Sequence, residues 1–477
     1  MTTSVLSLRQ SLQQLLGEQA VVSRDGQARY EQGYRYGKGK AAAVVRPKDV
    51  AGVKAVLNFC QARRQRLVVQ GAHTGLVGAA TPDDSGAQIV LSLEQLSTIK
   101  LDAMNRTATC GAGTLLSSLN AAAAESGLHL PIDLGADPSL GGMVATNTGG
   151  SRLLRYGGMR EQLIGLEAVL LDAESTVISD MQGLRKNNVG LDLKQLFVGS
   201  GGKFGVVTAV QVSLQPTVRQ RVTAFAIPTD MSRIPEIVSK LEACLDQFLL
   251  ACEGISRTAM GAALDAHPAL RRPFAELPPF ALLIEAGASI PARAGLDVDV
   301  LLQNALFECL EGNDPSLSDV VIGPDAHFWA LRHAISDGLK TLGRVIGFDI
   351  SVRRNRLPEL RSVLIACVTR FNAELLVADF GHVADGGMHF NIVVPRSIEF
   401  DCEDEALLRA IVFDTVVREF NGSFSAEHGV GPANSAQYTT YRSAVERQLI
   451  DTMASIFDPC RCLNDQTALQ PTATSDE

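Results

Sequence analysis

The sequence lacks the features that would direct the protein to nucleic acid or into a bilayer. Its 477 residues carry a net charge of −9 and no basic tract, which argues against nucleic acid or an anionic membrane as the main partner. No apolar run approaches the length that spans a bilayer. Residues 1–16 have no apolar core and little positive charge, so we expect neither a signal peptide nor a transit peptide.

Paired cysteines and a Rossmann fingerprint are also missing. The nine cysteines are an odd number and are scattered singly, apart from Cys460 and Cys462. This usage predicts reduced thiols and a cytoplasmic location rather than a disulfide framework or a zinc ribbon. No GxGxxG motif with a following ribose-binding acid occurs, which excludes the usual dinucleotide fold.

What the sequence has in abundance is glycine in three loops. The longest, residues 134–158, contains seven glycines among Asp, Ser, Thr and Asn. Residues 71–78 follow a predicted strand, and residues 183–205 precede another one over 206–214. Glycine lets a flat ligand or a phosphate rest on backbone N–H groups. The three loops are therefore predicted to converge on one extended ligand, although a tightly packed buried crossover would also explain residues 134–158 alone.

The middle of the chain predicts a second α+β domain. Its length indicates two or three domains, and glycine becomes sparse after Pro216. A helical stripe over 237–248, a strand over 280–285 and a helix over 296–310 follow. We expect an antiparallel sheet that helices cover on one face, with the apolar stripes as core rather than cofactor contacts.

Two histidines near the C-terminal third could bind a metal. His382 and His389 flank an Ala-Asp-Gly-Gly turn, so two hairpinned strands would bring their imidazoles together. Glu427, in the sequence SAEHGVG, offers a carboxylate. Two imidazoles and one carboxylate suit a catalytic Zn²⁺, or Mn²⁺ or Fe²⁺. On spacing alone, ordinary core or surface histidines remain the alternative.

Arg332 follows the single tryptophan, Trp329. Its guanidinium offers a planar fork that matches a carboxylate. By itself, however, such an arginine is more often a surface ion-pair partner.

These motifs together resemble one family. QGAHTGLVGAATP (70–82), PIDLGADPSLGGMVATNTGGSRLLRYG (131–157), LRKNNVGLDLKQLFVGSGGKFGVVT (184–208), GHVADGGMHFN (381–391) and SAEHGVG (425–431) are similar to flavoproteins of the vanillyl-alcohol oxidase / p-cresol methylhydroxylase (PCMH) superfamily. The similarity is greatest to the D-2-hydroxyglutarate and D-lactate dehydrogenase branch. It implies an α+β fold with an N-terminal helical segment (1–40), a PCMH-type FAD-binding domain (41–217), a substrate-binding cap (218–420) and a C-terminal segment (421–477) that completes the active site.

The resemblance also implies an FAD site. The implied FAD-binding residues are Gln70, Gly71, Ala72, His73, Thr74, Gly75, Pro131, Leu134, Gly135, Gly141, Gly142, Ala145, Thr146, Asn147, Gly149, Gly150, Tyr156, Gly157, Gly205, Val206 and Asn464. His73 lies near the position at which some oxidases attach flavin covalently. The branch with the greatest similarity binds FAD non-covalently, so a hydrogen-bonded loop histidine is the preferred interpretation.

The family's catalytic residues carry over to matching positions. His382, His389 and Glu427 are the implied metal ligands, and His428 is the implied catalytic base. The residues implied to contact the substrate are Arg332, Ser336, Asn391 and His428.

One position departs from this pattern. Glutarate-specific members place a lysine where this chain has Gly347. Arg344, Arg353 or Arg354 would be the candidates for a replacement charge.

The implied function is a FAD-dependent D-2-hydroxy acid dehydrogenase that makes a 2-keto acid. D-2-hydroxyglutarate is the first choice of substrate, and D-lactate or D-malate is next. The expected electron acceptor is an electron-transfer flavoprotein or a quinone, because no nicotinamide site is visible. Two alternatives stay open: a non-redox flavin transferase resembling alkylglycerone-phosphate synthase, and a non-catalytic flavin-binding module. The oligomeric state is open as well, with a homodimer as one alternative.

Overall fold

The structure, a computed structural model, describes residues 7–292, 295–323 and 325–463. The chain divides into two compact units. The first contains residues 1–149, 158–216 and 427–477, and the second contains residues 150–157 and 217–426. None of the helices in the described part of the chain has the length and apolar character that a membrane span requires.

Ten strands of the first unit form three small sheets in the described residues. They are β1 (Ala41–Val45), β2 (Leu67–Gln70), β3 (Gln88–Ser92), β4 (Ile99–Asp102), β5 (Thr107–Gly111), β6 (Leu128–His129), β7 (Leu163–Val169), β8 (Val177–Asp180), β9 (Val206–Ser213) and β10 (Gln215–Pro216). One sheet is parallel, in the order β1-β3-β2. The largest is antiparallel, in the order β4-β5-β9-β7-β8, and β6 pairs with β10.

The helices of the described residues are mostly short before residue 230 and longer after it. They are α1 (Leu8–Leu16), α2 (Ala28–Glu31), α3 (Val50–Arg63), α4 (Leu116–Ala124), α5 (Leu140–Thr146), α6 (Leu153–Tyr156), α7 (Met159–Gln162), α8 (Lys194–Phe197), α9 (Ile234–Leu245), α10 (Arg257–Ala266), α11 (Val298–Leu310), α12 (Asp325–Leu342), α13 (Leu357–Phe371), α14 (Cys402–Asp414), α15 (Ser435–Tyr441) and α16 (Ala444–Phe457).

The glycine-rich stretch over 134–158 contains real secondary structure. Its apolar run becomes α5, whose Met143 and Val144 are fully buried. Gly141 at the start of α5 donates its N–H to the Ala112 carbonyl at 2.8 Å, and a Cβ at Gly141 would come within 2.6 Å of the Ala112 Cβ. A glycine is needed here because the helix approaches Ala112, the residue after β5, too closely for a side chain.

The C-terminal segment belongs to the first unit from Glu427 onward. The Leu67 N–H donates to the Cys462 carbonyl at 2.7 Å, and the Leu171 N–H donates to the Phe457 carbonyl at 3.0 Å. Cys462 is buried and Cys460 is exposed. The segment therefore adds hydrogen bonds beside β2, the strand that leads into the Gly71 loop.

The second unit is built on a seven-stranded antiparallel sheet. Its strands are β11 (Gln220–Pro228), β12 (Leu249–Ser256), β13 (Phe280–Ala288), β14 (Leu317–Gly323), β15 (Gly343–Ser351), β16 (Leu376–Gly381) and β17 (Gly387–Pro395). Their order is β14-β11-β13-β12-β16-β17-β15. In this register His389 on β17 lies opposite both Asp349 on β15 and Phe380 on β16, and Asn391 lies opposite Gly347.

Helices cover both faces of this sheet, so the expectation of one covered face is wrong. Strands β12 and β13 are buried along their whole length. The cluster of Phe225, Leu283 and Phe380 packs with residues of α10 and α12 on one face, and α9 and α11 contact the same strands through residues outside that cluster. A strand whose two faces are both buried reads as a continuous apolar run, as LLACEGIS in β12 does.

Candidate active site

A cavity of roughly 550 Å³ lies in the first unit beside the Gly71 loop. Its lining residues are Arg29, Tyr30, Gln70, Gly71, Ala72, His73, Glu94, Ser97, Gly113, Thr114, Leu115, Ser118 and Asp137. Four of them, the consecutive residues 70–73, belong to the predicted flavin set. The others were missed, since they come from separate helices and loops, and only Asp137 among them lies within a quoted motif.

The loop that opens from β2 is held in one conformation by side chains. Gln70 Nε2 donates to the Tyr30 carbonyl at 3.0 Å and to the Ala80 carbonyl at 2.7 Å. The Ala72 N–H donates to Ser139 Oγ at 3.2 Å. His73 adopts a left-handed φ of 59°, and its Nε2 lies 2.9 Å from Thr81 Oγ1. Burial lowers the pKa of His73, so this histidine is a neutral, hydrogen-bonded loop residue.

This loop fits a phosphate-bearing cofactor. A Cβ at Gly71 would come within 2.0 Å of Ser139 Oγ, whereas a Cβ at Gly75 or Gly135 would meet no protein atom within 4 Å. Within the described residues, the N–H groups of Gly71 and His73 have no protein acceptor. Backbone amides without protein partners, beside a cavity and next to glycines, form the kind of cradle that binds a diphosphate.

The other residues predicted to bind FAD form contacts within the fold or lie outside the lining of the cavity. Thr146 Oγ1 donates to the Gly142 carbonyl at 3.0 Å, and Asn147 ends α5 with a left-handed φ of 50°. Thr74, Pro131, Leu134, Ala145, Gly149, Gly205 and Val206 also belong to the first unit, outside the lining of the cavity. Gly150, Tyr156 and Gly157 group with the second unit, and Asn464 lies outside the described residues.

Arg152, within this glycine-rich motif, forms a buried ion pair in the second unit. Arg152 Nε and an Nη atom lie 3.2 and 3.1 Å from the two oxygens of Glu285, which is fully buried on β13. Arg221 Nε lies 3.3 Å from Glu285 Oε1. Burial raises the pKa of the neighbouring Tyr156. The motif therefore contributes a structural arginine as well as flexible glycines, a role that sequence reasoning missed.

Both predicted metal-binding histidines lie at the end of the β16–β17 hairpin. Their ring centroids are 5.3 Å apart at an interplanar angle of 76°. Asp349 Oδ1 lies 3.7 Å from His389 Nδ1. The hairpin thus brings the two imidazoles together as the turn suggested, and it adds a carboxylate that sequence reasoning did not select.

A second buried carboxylate connects His382 with Arg332. Glu253 projects from β12 with only 1% of its side chain exposed, Oε1 lies 3.0 Å from His382 Nδ1, and Oε2 accepts a hydrogen bond from Arg332 Nε. Burial by itself raises the pKa of Glu253, but the adjacent Arg332 and His382 outweigh burial and hold the pKa well below its usual range. The sequence signal for Glu253 was a single acidic residue inside an apolar strand. A buried charge requires a partner.

Arg332 is fixed in a way that leaves part of its guanidinium free. Its Cζ lies 4.5 Å from the centroid of the Phe380 ring, and Glu253 binds its Nε. Within the described residues, its two terminal amino groups make no hydrogen bond. Ser336, one turn further along α12, is exposed. Asn391 Nδ2 donates to the His389 carbonyl at 3.1 Å.

Of the three arginines considered as substitutes for a lysine at position 347, Arg344 and Arg354 form ion pairs with other residues. Arg344 is an odd number of residues from Gly347 in β15 and pairs with Glu405, so its side chain projects from the opposite face. Arg354 pairs with Glu242 at 2.6 Å. Arg353 lies beyond the end of β15.

Glu427 and His428 are at the start of the C-terminal segment in the first unit. Their metal-binding atoms lie within 4.8 Å of one another. They directly follow Ala426 of the second unit, whose N–H donates to the Asp349 carbonyl at 3.1 Å. Their donor groups, a carboxylate and an imidazole, are of the types that suit a divalent ion.

The cradle, the cavity and the antiparallel second unit define a flavin-binding α+β protein. Family models agree: an FAD binding domain matches residues 41–179, and the C-terminal domain of FAD linked oxidases matches residues 221–467. The chain belongs to the FAD-linked oxidase family, and it is an FAD-dependent oxidoreductase. The predicted family and α+β PCMH-type fold are confirmed.

Relatives and solved structures cover nearly the whole chain. It is 30% identical to the mitochondrial D-2-hydroxyglutarate dehydrogenase of Arabidopsis thaliana over 96% of this chain and 80% of the relative. It is 32% identical to the Bos taurus enzyme of the same name over 90% of this chain and 76% of the relative. The fold matches p-cresol methylhydroxylase with a TM-score of 0.70 at 18% identity, covering 94% of each chain. The expected cytoplasmic location is wrong, because these curated relatives are mitochondrial proteins.

Proposed function

We propose that the protein is a FAD-dependent D-2-hydroxy acid dehydrogenase. One observation carries this proposal: a single phenyl ring contacts both the arginine proposed to bind a carboxylate and a histidine proposed to bind a metal. The Phe380 centroid lies 4.5 Å from Arg332 Cζ and 5.3 Å from the centroid of the His389 ring. A 2-hydroxy acid places a hydroxyl next to a carboxylate, and this pair of groups matches the pair of functions beside Phe380.

Arg332 binds a substrate carboxylate through its two terminal amino groups. Glu253 and Phe380 already hold the guanidinium in place. The Arg332 side chain therefore loses little conformational freedom when the substrate binds. Asn391 and Ser336 provide polar contacts to the substrate. The proposed order of substrate preference is D-2-hydroxyglutarate first, then D-lactate and D-malate. The first choice follows the names of the relatives.

His428 removes the proton of the 2-hydroxyl as the general base. His382, His389 and Glu427 would hold a divalent ion, Zn²⁺ or else Mn²⁺ or Fe²⁺, which would supply Lewis acidity toward that hydroxyl. FAD, when bound, supplies the acceptor for the C2 hydride. The reduced enzyme passes its electrons to an electron-transfer flavoprotein or a quinone.

FAD is held without a covalent bond. His73 Nε2 is occupied by Thr81, which removes one of the two ring atoms that could bond to flavin. Denaturation of the holoprotein should release all flavin into the filtrate. Flavin that stays with the precipitated chain would contradict non-covalent binding.

The deciding experiment is anaerobic reduction of the bound flavin. Metal-replete holoprotein is mixed with D-2-hydroxyglutarate, D-lactate and D-malate, and the L-enantiomers serve as controls. Bleaching of the flavin band by the D-acids alone is the expected result, and the rates rank the substrates. A flavin that every acid leaves oxidised would contradict the dehydrogenase proposal and favour the non-redox transferase or the binding module.

A further inference from the structure

The Glu253 carboxylate contacts both a proposed substrate-binding residue, Arg332, and a proposed metal ligand, His382. Its Oε1 lies 3.0 Å from His382 Nδ1, and its Oε2 accepts a hydrogen bond from Arg332 Nε. We propose that Glu253 is a positioning residue that fixes the tautomer of His382 for metal binding and the orientation of Arg332 for the substrate. The inference rests on the proposed function, since it assigns a role within the same site.

The tautomer follows from the chemistry of the carboxylate. An ionised carboxylate only accepts hydrogen bonds, so the proposal places the His382 proton on Nδ1, the ring atom 3.0 Å from Glu253 Oε1. The lone pair is then on Nε2, which becomes the ligand atom. Carboxylates that hold metal-binding histidines in this way also make the ligand nitrogen more basic, and their loss typically weakens metal binding about 10- to 100-fold.

The Glu253 carboxylate also leaves the terminal amino groups of Arg332 available to a substrate carboxylate. A guanidinium presents its Nε edge and its terminal amino edge to different partners. Glu253 takes the Nε edge and Phe380 covers a face, so a substrate carboxylate meets the remaining amino groups. Because Glu253 is buried, its charge also offsets that of an arginine that is itself largely buried, with 13% of its side chain exposed.

Replacing the Glu253 carboxylate by a carboxamide separates its effect on the His382 tautomer from its effect on the Arg332 orientation. Glu253→Gln has one acceptor end and one donor end, whereas both neighbours offer a proton. Arginine keeps its protons at any ordinary pH, while histidine can move its proton from one ring nitrogen to the other. The amide oxygen should therefore face Arg332, and the amide NH₂ should face His382 and force the proton onto Nε2. Metal affinity should fall, and the substrate KM should change little.

A matched control exists on the neighbouring strand. Glu285 on β13 is also fully buried and ion-paired, but its partners are the arginines Arg152 and Arg221 rather than a histidine. Glu285→Gln removes the same charge from the same sheet without touching His382. It reports the general effect of placing an amide in this core.

The experiment measures Zn²⁺ affinity by chelator competition, using FAD-loaded protein stripped of metal, with flavin content and melting temperature as folding checks. We expect Glu253→Gln to bind Zn²⁺ about 10- to 100-fold more weakly than the wild type, with Glu285→Gln unchanged. Glu253→Asp keeps two acceptor oxygens and should bind Zn²⁺ more tightly than the glutamine variant.

Two results would overturn different claims. Equal Zn²⁺ affinity of the wild type and Glu253→Gln, or an aspartate variant no better than glutamine, would overturn the role of Glu253 and leave the proposed function standing. A wild type that binds neither Zn²⁺, Mn²⁺ nor Fe²⁺ would overturn the metal part of the proposed function, and this inference with it.

Discussion

Asp349 lies directly opposite His389 in the antiparallel β15–β17 ladder, with its Oδ1 3.7 Å from His389 Nδ1. The pairing gives the second histidine its own carboxylate, as Glu253 does for His382. Each proposed histidine ligand therefore has an acidic residue of a neighbouring strand beside it, at 3.0 Å for His382 and 3.7 Å for His389. Asp349 also holds the start of the C-terminal segment, since its carbonyl accepts the Ala426 N–H.

Asp349→Asn should weaken metal binding without displacing the segment that precedes Glu427. The backbone hydrogen bond to Ala426 survives the substitution, so the change is confined to the Asp349 side chain. We expect about a 10- to 100-fold loss of metal affinity, measured as metal content after dialysis against a chelator. Asp337→Asn, on the exposed surface of α12, is the control. Full metal retention by Asp349→Asn would rule out this role.

Arg332→Lys should raise KM more than it lowers kcat. Lysine can keep the ion pair with Glu253, but it lacks the second edge that a substrate carboxylate needs. Loss of a hydrogen bond to a charged group costs about 1.5–3 kcal/mol, which corresponds to a KM roughly 10- to 150-fold higher. Steady-state kinetics with a dye acceptor measures both constants. A large fall in kcat at unchanged KM would instead place Arg332 in the chemical step.

His428→Ala should slow flavin reduction while FAD stays bound. A general base contributes about 10²- to 10⁴-fold to the rate, and the Gly71 loop with its cavity is unaltered by this change. Stopped-flow absorbance measures the reduction rate, and the visible spectrum gives the flavin content. His327→Ala, at an exposed position on α12, should behave as the wild type. A near-normal rate in His428→Ala would exclude the histidine as the base.

The two arginines around Glu285 should contribute unequally to stability. Arg152 donates to both carboxylate oxygens and has 12% of its side chain exposed, whereas Arg221 Nε lies 3.3 Å from Oε1 and the Arg221 side chain is 35% exposed. Arg152→Met leaves a buried carboxylate with one weaker partner, so the expected loss lies at the low end of about 3–5 kcal/mol. Arg221→Met should cost about 1 kcal/mol or less. Urea unfolding tests the order, and equal losses would contradict it.

Two helical glycines should respond to alanine with opposite signs. In α12, a Cβ at Gly338 would come within 2.4 Å of the Ala262 carbonyl oxygen, whereas in α10 a Cβ at Gly261 meets nothing closer than 3.9 Å. Gly261→Ala should stabilise by about 0.5–1 kcal/mol through its helix preference. Gly338→Ala should destabilise by about 1–3 kcal/mol, since α10 and α12 must separate. Thermal unfolding measures both, and a stabilising Gly338→Ala would show that the helices can move apart.

The position of Gly347 illustrates what only the structure could decide. The sequence left three arginines as substitutes for a lysine, and the β15 register excludes Arg344 because alternate residues of a strand face opposite sides. Similarly, helices on one face of the second sheet were a reasonable expectation. The number of covered faces depends on how distant helices pack, and the continuous apolar runs of β12 and β13 are compatible with either a buried strand or a buried helix.

The sequence by itself determined the family, the α+β class, the glycine loops and the hairpin of His382 and His389, because these follow from local composition, spacing and motif order. The tertiary structure alone decided the partners: Glu253 with Arg332 and His382, Glu285 with Arg152 and Arg221, and Asp349 with His389. Each of these pairs joins residues from different strands or helices. Their chemistry is set by burial, which makes an unpaired charge too costly to keep, and burial depends on the packing of the whole unit.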